Sequence, residues 1–211
     1  MIIKKKSKNS NNWSSKYFTD PYIRERNKKN LRSRAWFKLK EINESEKIFN
    51  IGMKVIDLGS NPGGWSEYAL QKIGNSGIIF AYDILPMHPL KNVTFFHEDV
   101  TDIHIQKKIF FNLKKNSWNV VMSDMSPNIS GCSIVDNANM FKLNDVALKI
   151  SMYVLLKNGC LIMKLFQGYG FKMYIKKICD FFKLVKIYKP RSSRFNSREV
   201  FIIARGVKNN F

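Results

Sequence analysis

The chain has 211 residues, of which 45% are hydrophobic, and a formal net charge of +20 at pH 7. This length fits one domain with a full core, and so large a positive charge favours a polyanionic partner, most simply nucleic acid. Because the sequence shows no apolar run of membrane length, no apolar signal segment, no disulfide framework and no metal spacing among its cysteines and histidines, we expect a cytoplasmic protein with no membrane partner and no metal.

The positive charge is concentrated at the two ends of the chain. Residues 1–40 carry a balance of +11 and residues 183–211 a balance of +7, whereas residues 41–182 carry only +2. A lysine-rich drift in composition would not leave the middle of the chain so nearly neutral. The distribution predicts a core domain whose two ends bind phosphates. The candidate phosphate contacts are Arg32, Arg34, Arg191 and Arg194.

The first predicted elements are a basic extension and a helix. We expect residues 1–30 to form an N-terminal extension that is partly disordered, followed by a single domain over residues 31–211. Residues 31–45 have the apolar spacing of a helix, and Lys38 falls in the middle of its apolar face. A lysine there either snorkels, with its ammonium in water, or reaches into a polar pocket, and the sequence leaves both open.

Residues 55–65 read as a buried strand, a glycine-rich turn and the start of a helix. This is the first unit of a nucleotide-binding α/β fold, because glycines let the backbone approach a ligand closely. The turn lacks the Lys-Ser/Thr of a P-loop and the GxGxxG spacing of a dinucleotide site. A nucleoside-type ligand fits better, and S-adenosylmethionine is the candidate. A turn without any ligand is the alternative.

Carboxylates follow the next three predicted strands. Asp83 ends the second strand, Asp99 ends the third, and Asp124 stands at the carboxyl end of the fourth. In parallel sheets these ends form the ligand crevice, so we expect Asp83 to accept from ribose hydroxyls and Asp99 from the adenine amino group. Each of these two carboxylates could instead cap a following helix.

Lys164 is the single charge in an apolar fifth strand. Because a buried lysine needs a partner, we expect it to emerge at the functional end of that strand. Helices are predicted at 139–157 and 171–181, and residues 184–188 and 199–204 read as a closing strand pair. The pattern predicts an α/β fold with a Rossmann-like, mixed seven-stranded sheet and helices on both faces, the usual arrangement of S-adenosylmethionine-dependent methyltransferases.

In these motifs the sequence resembles the FtsJ family of heat-shock 2′-O-ribose methyltransferases of large-subunit ribosomal RNA. The matching segments run nearly from end to end: LRSRAWFKL (31–39), DLG (57–59), PGGWS (62–66), DILPM (83–87), SDM (123–125), PN (127–128), SG (130–131), KLFQG (164–168), SSR (192–194) and SREV (197–200). The chain departs from the family at residues 60–61 and at Ser126, where alanines are common, and small polar residues fit there.

The resemblance implies both a catalytic tetrad and a cofactor site. The tetrad falls on Lys38, Asp124, Lys164 and Glu199. The S-adenosylmethionine site falls on Gly63, Trp65, Asp83, Asp99 and Asp124. In the implied reaction Lys164 either takes the proton of a ribose 2′-hydroxyl or orients that hydroxyl as a cation.

The resemblance also implies the substrate. It is a uridine in the A loop of 23S ribosomal RNA, methylated within the assembled large subunit by a monomeric enzyme. Two alternatives remain open from the sequence. One is a 2′-O-methyltransferase that acts on tRNA, an mRNA cap or another RNA, and the other is a non-catalytic ribosome-assembly factor on the same fold.

Overall fold

In the computed structural model, which describes residues 20–208, seven strands form one mixed sheet with helices on both faces. The strands are β1 (Lys54–Leu58), β2 (Ile78–Asp83), β3 (Val93–His97), β4 (Trp118–Ser123), β5 (Leu155–Phe166), β6 (Phe182–Tyr188) and β7 (Glu199–Val207). The helices are α1 (Pro21–Lys28), α2 (Ala35–Glu46), α3 (Gly64–Ile73), α4 (Ile103–Asn112), α5 (Ser133–Val154) and α6 (Phe171–Phe181).

The strand order is β3-β2-β1-β4-β5-β7-β6. Strands β1 to β5 pair in parallel, and β7 runs antiparallel to both β5 and β6. The predicted mixed seven-stranded sheet is therefore confirmed. The five parallel strands come from the βα steps, which need helical crossovers, and the antiparallel pair comes from the terminal hairpin.

Helix boundaries differ from the sequence prediction in two places. The helix predicted to begin at residue 31 begins at Ala35, because a turn at residues 29–30 and an irregular connection over residues 31–34 follow α1. The helix predicted over 139–157 spans Ser133–Val154 instead. Its first turn buries the polar side chains of Asp136 and Asn137, so apolar periodicity gave no sign of it.

Two hydrophobic clusters fix the helices to opposite faces of the sheet. One cluster joins the sheet to α4, α5 and α6, and the other joins it to α2 and α3. In β5, Leu161 and Met163 belong to the first cluster, whereas Cys160 and Ile162 belong to the second. Because side chains alternate along a strand, Lys164 lies on the α2–α3 face.

The described part of the predicted N-terminal extension is a short helix on the domain surface. The Asp20 side chain caps α1 by accepting from the backbone N–H of Tyr22 at 3.0 Å. Ile23 is buried, and the Tyr22 ring lies 5.3 Å from the Phe37 ring. The rest of the predicted extension, residues 1–19, lies outside the described residues.

Candidate active site

The carboxyl ends of β1, β2 and β4 meet at one edge of the sheet. From β1 the chain steps outward through β2 to β3, and then returns to the other side of β1 as β4. In open α/β sheets the crevice at such a reversal is where ligands bind. Asp57 near the end of β1, Asp83 at the end of β2 and Asp124 just after β4 all lie at this crevice.

The glycine-rich turn after β1 is tightly enclosed by protein atoms. A Cβ at Gly59 would lie 2.8 Å from the Met125 Cγ, and one at Gly63 would lie 2.9 Å from the Arg32 Cδ. Gly63 also has a φ of +107°, which disfavours any other residue. Packing requires glycine at position 59, because a Cβ there would also lie 2.9 Å from the Met125 backbone, whereas at Gly63 it is the positive φ that favours glycine.

Asp83 and Asp99 hold loops at the crevice and leave room for further acceptor bonds. The Asp83 carboxylate accepts from the backbone N–H groups of Asn61 and Leu85, each at 2.8 Å. Asp99 accepts from the N–H and hydroxyl of Thr101 at 2.8 and 2.7 Å. Neither is a helix cap, because no helix directly follows β2 and α4 is capped by Asp102. Each Asp83 oxygen accepts one of its two bonds and keeps a second lone pair for a ligand, whereas both Thr101 bonds go to the Asp99 Oδ1, so a ligand would use the Asp99 Oδ2.

Trp65 lies in the core under α2. Its side chain is 2% exposed, its indole donates to the Ala35 carbonyl at 3.0 Å, and its ring lies 5.5 Å from the Phe201 ring. The indole therefore fixes α2 against the sheet. Because the indole is buried, Trp65 can contact a ligand only through its backbone, in the first turn of α3.

Lys164 and Asp124 form an ion pair at the ends of adjacent strands. The Lys164 Nζ lies 2.9 Å from the Asp124 Oδ1 and also donates to the Asp124 carbonyl at 2.5 Å. The two side chains are only 8% and 19% exposed. The lysine inside the apolar strand thus has the partner that its burial requires.

A second ion pair joins α2 to the start of β7. The Lys38 Nζ lies 2.7 Å from the Glu199 Oε1, which also accepts from the Ser193 hydroxyl at 2.7 Å. The Lys38 side chain is 13% exposed, so its ammonium faces a polar pocket and does not snorkel into water. Lys164 pairs with Phe201 across the β5–β7 ladder, and the Lys38 Nζ lies 5.6 Å from the Phe201 ring. All four predicted catalytic residues are therefore brought to the α2–α3 face of the sheet.

The two ion pairs are electrostatically coupled through Glu199. Burial raises the pKa of Glu199, but the Lys38 ammonium, the Lys38 and Ser193 hydrogen bonds and the charge of Lys164 together hold that pKa below its ordinary value of 4.5. Glu199 therefore stabilises the fold above pH 4.5, and its contribution is lost as the pH falls through its folded-state pKa. At neutral pH it is an anion that orients Lys38.

Asp57 is a buried carboxyl group at the base of the crevice. Burial, together with the charges of Asp124 and Asp83 and against a hydrogen bond from the Ser66 hydroxyl, raises the pKa of Asp57 from 3.8 to about 7. The Ser66 Oγ donates to the Asp57 Oδ2 at 2.7 Å. The fold therefore binds this proton more tightly than the unfolded chain does.

We expect Asp57→Asn to remove part of the pH dependence of stability. A raised folded-state pKa gives stability that is complete below 3.8 and is lost as the pH rises through about 7. Asn copies the neutral carboxyl and does not ionise. The free energy of unfolding of the variant should therefore rise relative to that of the wild type between pH 5 and 8, by on the order of 4 kcal/mol at most. Urea unfolding across this range measures the gain, with Asp180→Asn, an exposed position on α6, as the control. Parallel pH profiles for wild type and Asp57→Asn would contradict the expectation.

Two of the four arginines predicted to contact phosphates are engaged within the protein. The Arg32 guanidinium donates to the carbonyls of His88 and Pro89, each at 2.6 Å. The Arg34 guanidinium pairs with Asp20 and donates to the Ser192 carbonyl. These arginines join loops around the crevice, so Arg191 and Arg194 remain as the candidate phosphate contacts.

Three further side chains support the site and were not identified from the sequence. Asn144 is fully buried and donates to the Lys164 carbonyl at 3.0 Å. Ser193 and Ser66 hold Glu199 and Asp57, as described above. Only Asn144 gave a usable signal, because it is a polar residue at helical spacing between the buried Met140 and Leu148.

The described residues 20–208 lack two other kinds of feature. No helix within them is both long and apolar enough to cross a membrane. No group of three or more His, Cys, Asp or Glu side chains in the same range is placed to hold a metal ion. The site is therefore described by its ion pairs and carboxylates.

Comparison with known proteins agrees with the geometry. A model of the FtsJ-like methyltransferase family matches residues 31–207. A protein of Buchnera aphidicola subsp. Cinara cedri (strain Cc), named ribosomal RNA large subunit methyltransferase E, is 68% identical over 99% of this chain and 100% of its own length. The protein of the same name from Buchnera aphidicola subsp. Schizaphis graminum (strain Sg) is 46% identical over 97% of this chain and 99% of its own.

Solved structures share the fold at low sequence identity. A Plasmodium falciparum protein described as a ribosomal RNA methyltransferase superposes with a TM-score of 0.75 at 23% identity, over 84% of this chain and 98% of its own. A Thermotoga maritima S-adenosylmethionine-dependent O-methyltransferase gives a TM-score of 0.54 at 14% identity, over 82% and 65% of the two chains. These likenesses support the fold alone. The family match over residues 31–207, together with relatives of 68% and 46% identity along the whole chain, shows that the chain belongs to the FtsJ-like methyltransferase family.

Proposed function

We propose that this protein transfers a methyl group from S-adenosylmethionine to the ribose 2′-hydroxyl of a uridine in the A loop of 23S ribosomal RNA, within the assembled large subunit. The observation that carries the proposal is the Lys164–Asp124 ion pair beside the crevice at the strand-order reversal. It brings a cation that can bind a hydroxyl next to a place that can hold a nucleoside.

The crevice residues fit S-adenosylmethionine by their chemistry. Within residues 20–208 the Ser60 hydroxyl and the Asp57 Oδ1 are buried without a hydrogen-bond partner, so polar atoms are available beside the turn. Asp83 ends β2, Asp99 lies two residues after β3 and Asp124 directly follows β4, and all three add acceptor oxygens. We propose that Asp83 and Asp99 accept from the ribose and adenine of the cofactor, while the backbone at Gly63 and Trp65 packs against it. Carboxylates also suit a ligand that carries a positive sulfonium and an ammonium group.

When bound, S-adenosylmethionine supplies a methyl group that is already activated by the sulfonium. The protein has to align the 2′-hydroxyl and manage its proton. Lys164 donates one hydrogen bond to the Asp124 carbonyl and pairs its charge with the Asp124 carboxylate. Because an ammonium has three N–H groups, one remains for the hydroxyl oxygen. Lys164 then orients the oxygen toward the methyl group, and the oxygen loses its proton to solvent as its bond to the methyl carbon forms. Glu199 orients Lys38, whose Nζ lies 5.6 Å from the Phe201 ring.

The substrate proposal draws on relatives and on charge. The Buchnera relatives are named for large-subunit ribosomal RNA, and the uridine in the A loop is what the resemblance to the family implies. The net charge of +20 favours a polyanionic substrate. We further propose that the enzyme acts as a monomer in the cytoplasm.

The test is methyl transfer by the full-length protein from radiolabelled S-adenosylmethionine to three substrates: large ribosomal subunits, free tRNA and capped RNA. We expect label in large subunits, and mapping of 2′-O-methyl positions should place it on one uridine of the A loop. Label in tRNA or capped RNA alone would contradict the substrate. Cofactor binding with no label in any RNA would indicate an assembly factor.

Asp83→Ala should weaken S-adenosylmethionine binding by about 1–3 kcal/mol, the scale of hydrogen bonds to a charged group. Calorimetry measures the loss. Because Asp83 also accepts from two loop N–H groups, the same variant should be titrated with a cofactor analogue that lacks the ribose hydroxyls. A smaller loss with the analogue indicates a direct contact. Equal losses with both ligands would mean that Asp83 acts only by holding the loops.

A further inference from the structure

Exposed aromatic side chains stand at the mouth of the candidate active site. Phe195 is 100% exposed and Tyr169 is 75% exposed. Phe195 lies four residues before Glu199, and Tyr169 three residues after Phe166. Because Phe166 pairs with Glu199 across the β5–β7 ladder, both aromatic loops leave the sheet at the same edge.

The Phe195 ring is carried by a hydrogen-bonded turn. The Ser197 N–H donates to the Arg194 carbonyl at 2.9 Å, so Phe195 is a corner residue of the turn. The Lys189 ammonium ties the turn to β7 by donating to the carbonyls of Ser197 and Glu199, each at 2.6 Å. A ring presented on a fixed turn loses little conformational freedom when a ligand contacts it.

A buried asparagine side chain, Asn137, holds the Tyr169 loop by a hydrogen bond. Gly168 and Gly170 flank the tyrosine at φ values of +134° and +78°, and the Asn137 amide donates to the Tyr169 carbonyl at 3.0 Å. The same asparagine accepts from the Arg198 guanidinium at 3.3 Å. Asn137 therefore links the Tyr169 loop to the segment that carries Phe195, and it fixes the two loops relative to each other.

The surroundings of the two rings are cationic. Residues 189–198 contain Lys189, Arg191, Arg194 and Arg198 and no acidic residue, and Arg191 and Arg194 are exposed. Surfaces that bind single-stranded nucleic acid combine rings that stack on bases with cations that contact phosphates. The cores of protein-binding patches, by contrast, are depleted of charge. The charge therefore selects a nucleic-acid strand as the ligand of these rings.

We propose that Tyr169 and Phe195 stack on unpaired bases next to the methylated nucleotide, while Arg191 and Arg194 bind the adjoining phosphates. This rests on the RNA methylation proposed above and adds that the enzyme takes its target from a single-stranded segment. Inside a duplex the flanking bases stack on one another and leave no free face for either ring. Stacking on both loops would hold the strand with the target ribose facing Lys164.

Phe111 provides a matched control. It is 91% exposed and lies between lysine pairs at 107–108 and 114–115, so its local composition is also aromatic and basic. It stands at the carboxyl end of α4, which leads back to the start of β4. It therefore lies at the opposite edge of the sheet from the site.

The test uses the full-length protein with S-adenosylhomocysteine and a synthetic RNA stem-loop that carries the mapped uridine in its loop, with fluorescent 2-aminopurine beside it. Binding of the wild type should quench the fluorescence. Phe195→Ala and Tyr169→Ala should each weaken RNA binding by roughly 5- to 100-fold and reduce the quenching. Phe195→Trp should restore binding, and Phe111→Ala should leave it unchanged. The affinity for S-adenosylhomocysteine should be the same throughout.

An abasic nucleotide beside the uridine separates stacking from other contacts. The abasic RNA should bind the wild type more weakly than the intact RNA. On the abasic RNA, Phe195→Ala should cause no further loss of affinity. The proposal is wrong if the Phe195→Ala/Tyr169→Ala double variant binds like the wild type, if Phe111→Ala loses as much, or if Phe195→Ala costs as much on the abasic RNA. The last outcome would indicate a contact with something other than a base. A wild type that labels no RNA would instead contradict the methylation proposed above.

Discussion

Lys164→Ala is expected to lower the methylation rate by about 10²-fold or more, the lower range for a positioned proton-transfer group. Cofactor binding should change little, because in the proposed mechanism Lys164 serves the attacking hydroxyl and not the nucleoside. Single-turnover rates on large ribosomal subunits measure the first quantity, and calorimetry with S-adenosylmethionine measures the second. Glu199→Ala should lower the rate less, because Glu199 contacts Lys38 and its proposed role is to orient that lysine.

The controls for Lys164 separate its charge from its packing. Lys164→Met keeps an unbranched apolar stem in the buried position and should be as slow as Lys164→Ala. Lys177→Ala removes another lysine from an ion pair, the exposed Lys177–Asp145 contact at 2.7 Å on the far face, and should react at the wild-type rate. A folded Lys164→Ala protein with near-normal single-turnover rates would rule out the mechanism.

Asp124→Ala should lose both rate and cofactor affinity. Asp124 pairs with Lys164 and also lies in the crevice with Asp57 and Asp83, so we expect a rate loss of about 10²-fold or more together with weaker S-adenosylmethionine binding. The variant also leaves the Lys164 ammonium without its carboxylate. Breaking a fully buried pair costs about 3–5 kcal/mol, and we expect less here because Asp124 keeps 19% of its surface in solvent.

A double-mutant cycle tests whether Asp124 and Lys164 act as one unit. If they do, Asp124→Ala combined with Lys164→Met should be little slower than either single variant. Asp145→Ala, which breaks the exposed pair with Lys177, is the matched control and should leave rate and affinity unchanged. Independent, multiplying losses in the double variant would mean that the two residues serve separate steps.

Local sequence patterns predicted the fold and the charged residues at the carboxyl ends of its central strands. The alternation of apolar residues with turn residues located all seven strands, and the carboxylates Asp83 and Asp124 followed strands whose carboxyl ends share one edge in a parallel sheet. The position of Lys38 on an apolar helical face indicated a side chain with an unusual environment. These features are local in sequence, because the spacing of apolar residues and the residue types that favour turns can be recognised within a few residues.

Local sequence patterns could not predict which charged side chains form ion pairs with one another. Lys38 and Glu199 are separated by most of the chain, and their 2.7 Å contact depends on how α2 docks on the sheet and on the β5–β7 register. A one-residue slip of β7 would turn Glu199 to the other face and leave Lys38 without a carboxylate. Register and docking are set by the two hydrophobic clusters as wholes, which no local pattern encodes.

The sequence by itself therefore determined that this is a Rossmann-like chain with acidic and basic groups at its strand ends. The tertiary structure alone decided that Arg32 and Arg34 turn inward to backbone carbonyls, while Phe195 remains fully exposed. The physical reason is that a side chain's surroundings depend on which unpaired carbonyls and which solvent lie near it after packing. Sequence composition gives the same description to an arginine that ties two loops together and to one that is free to meet a phosphate.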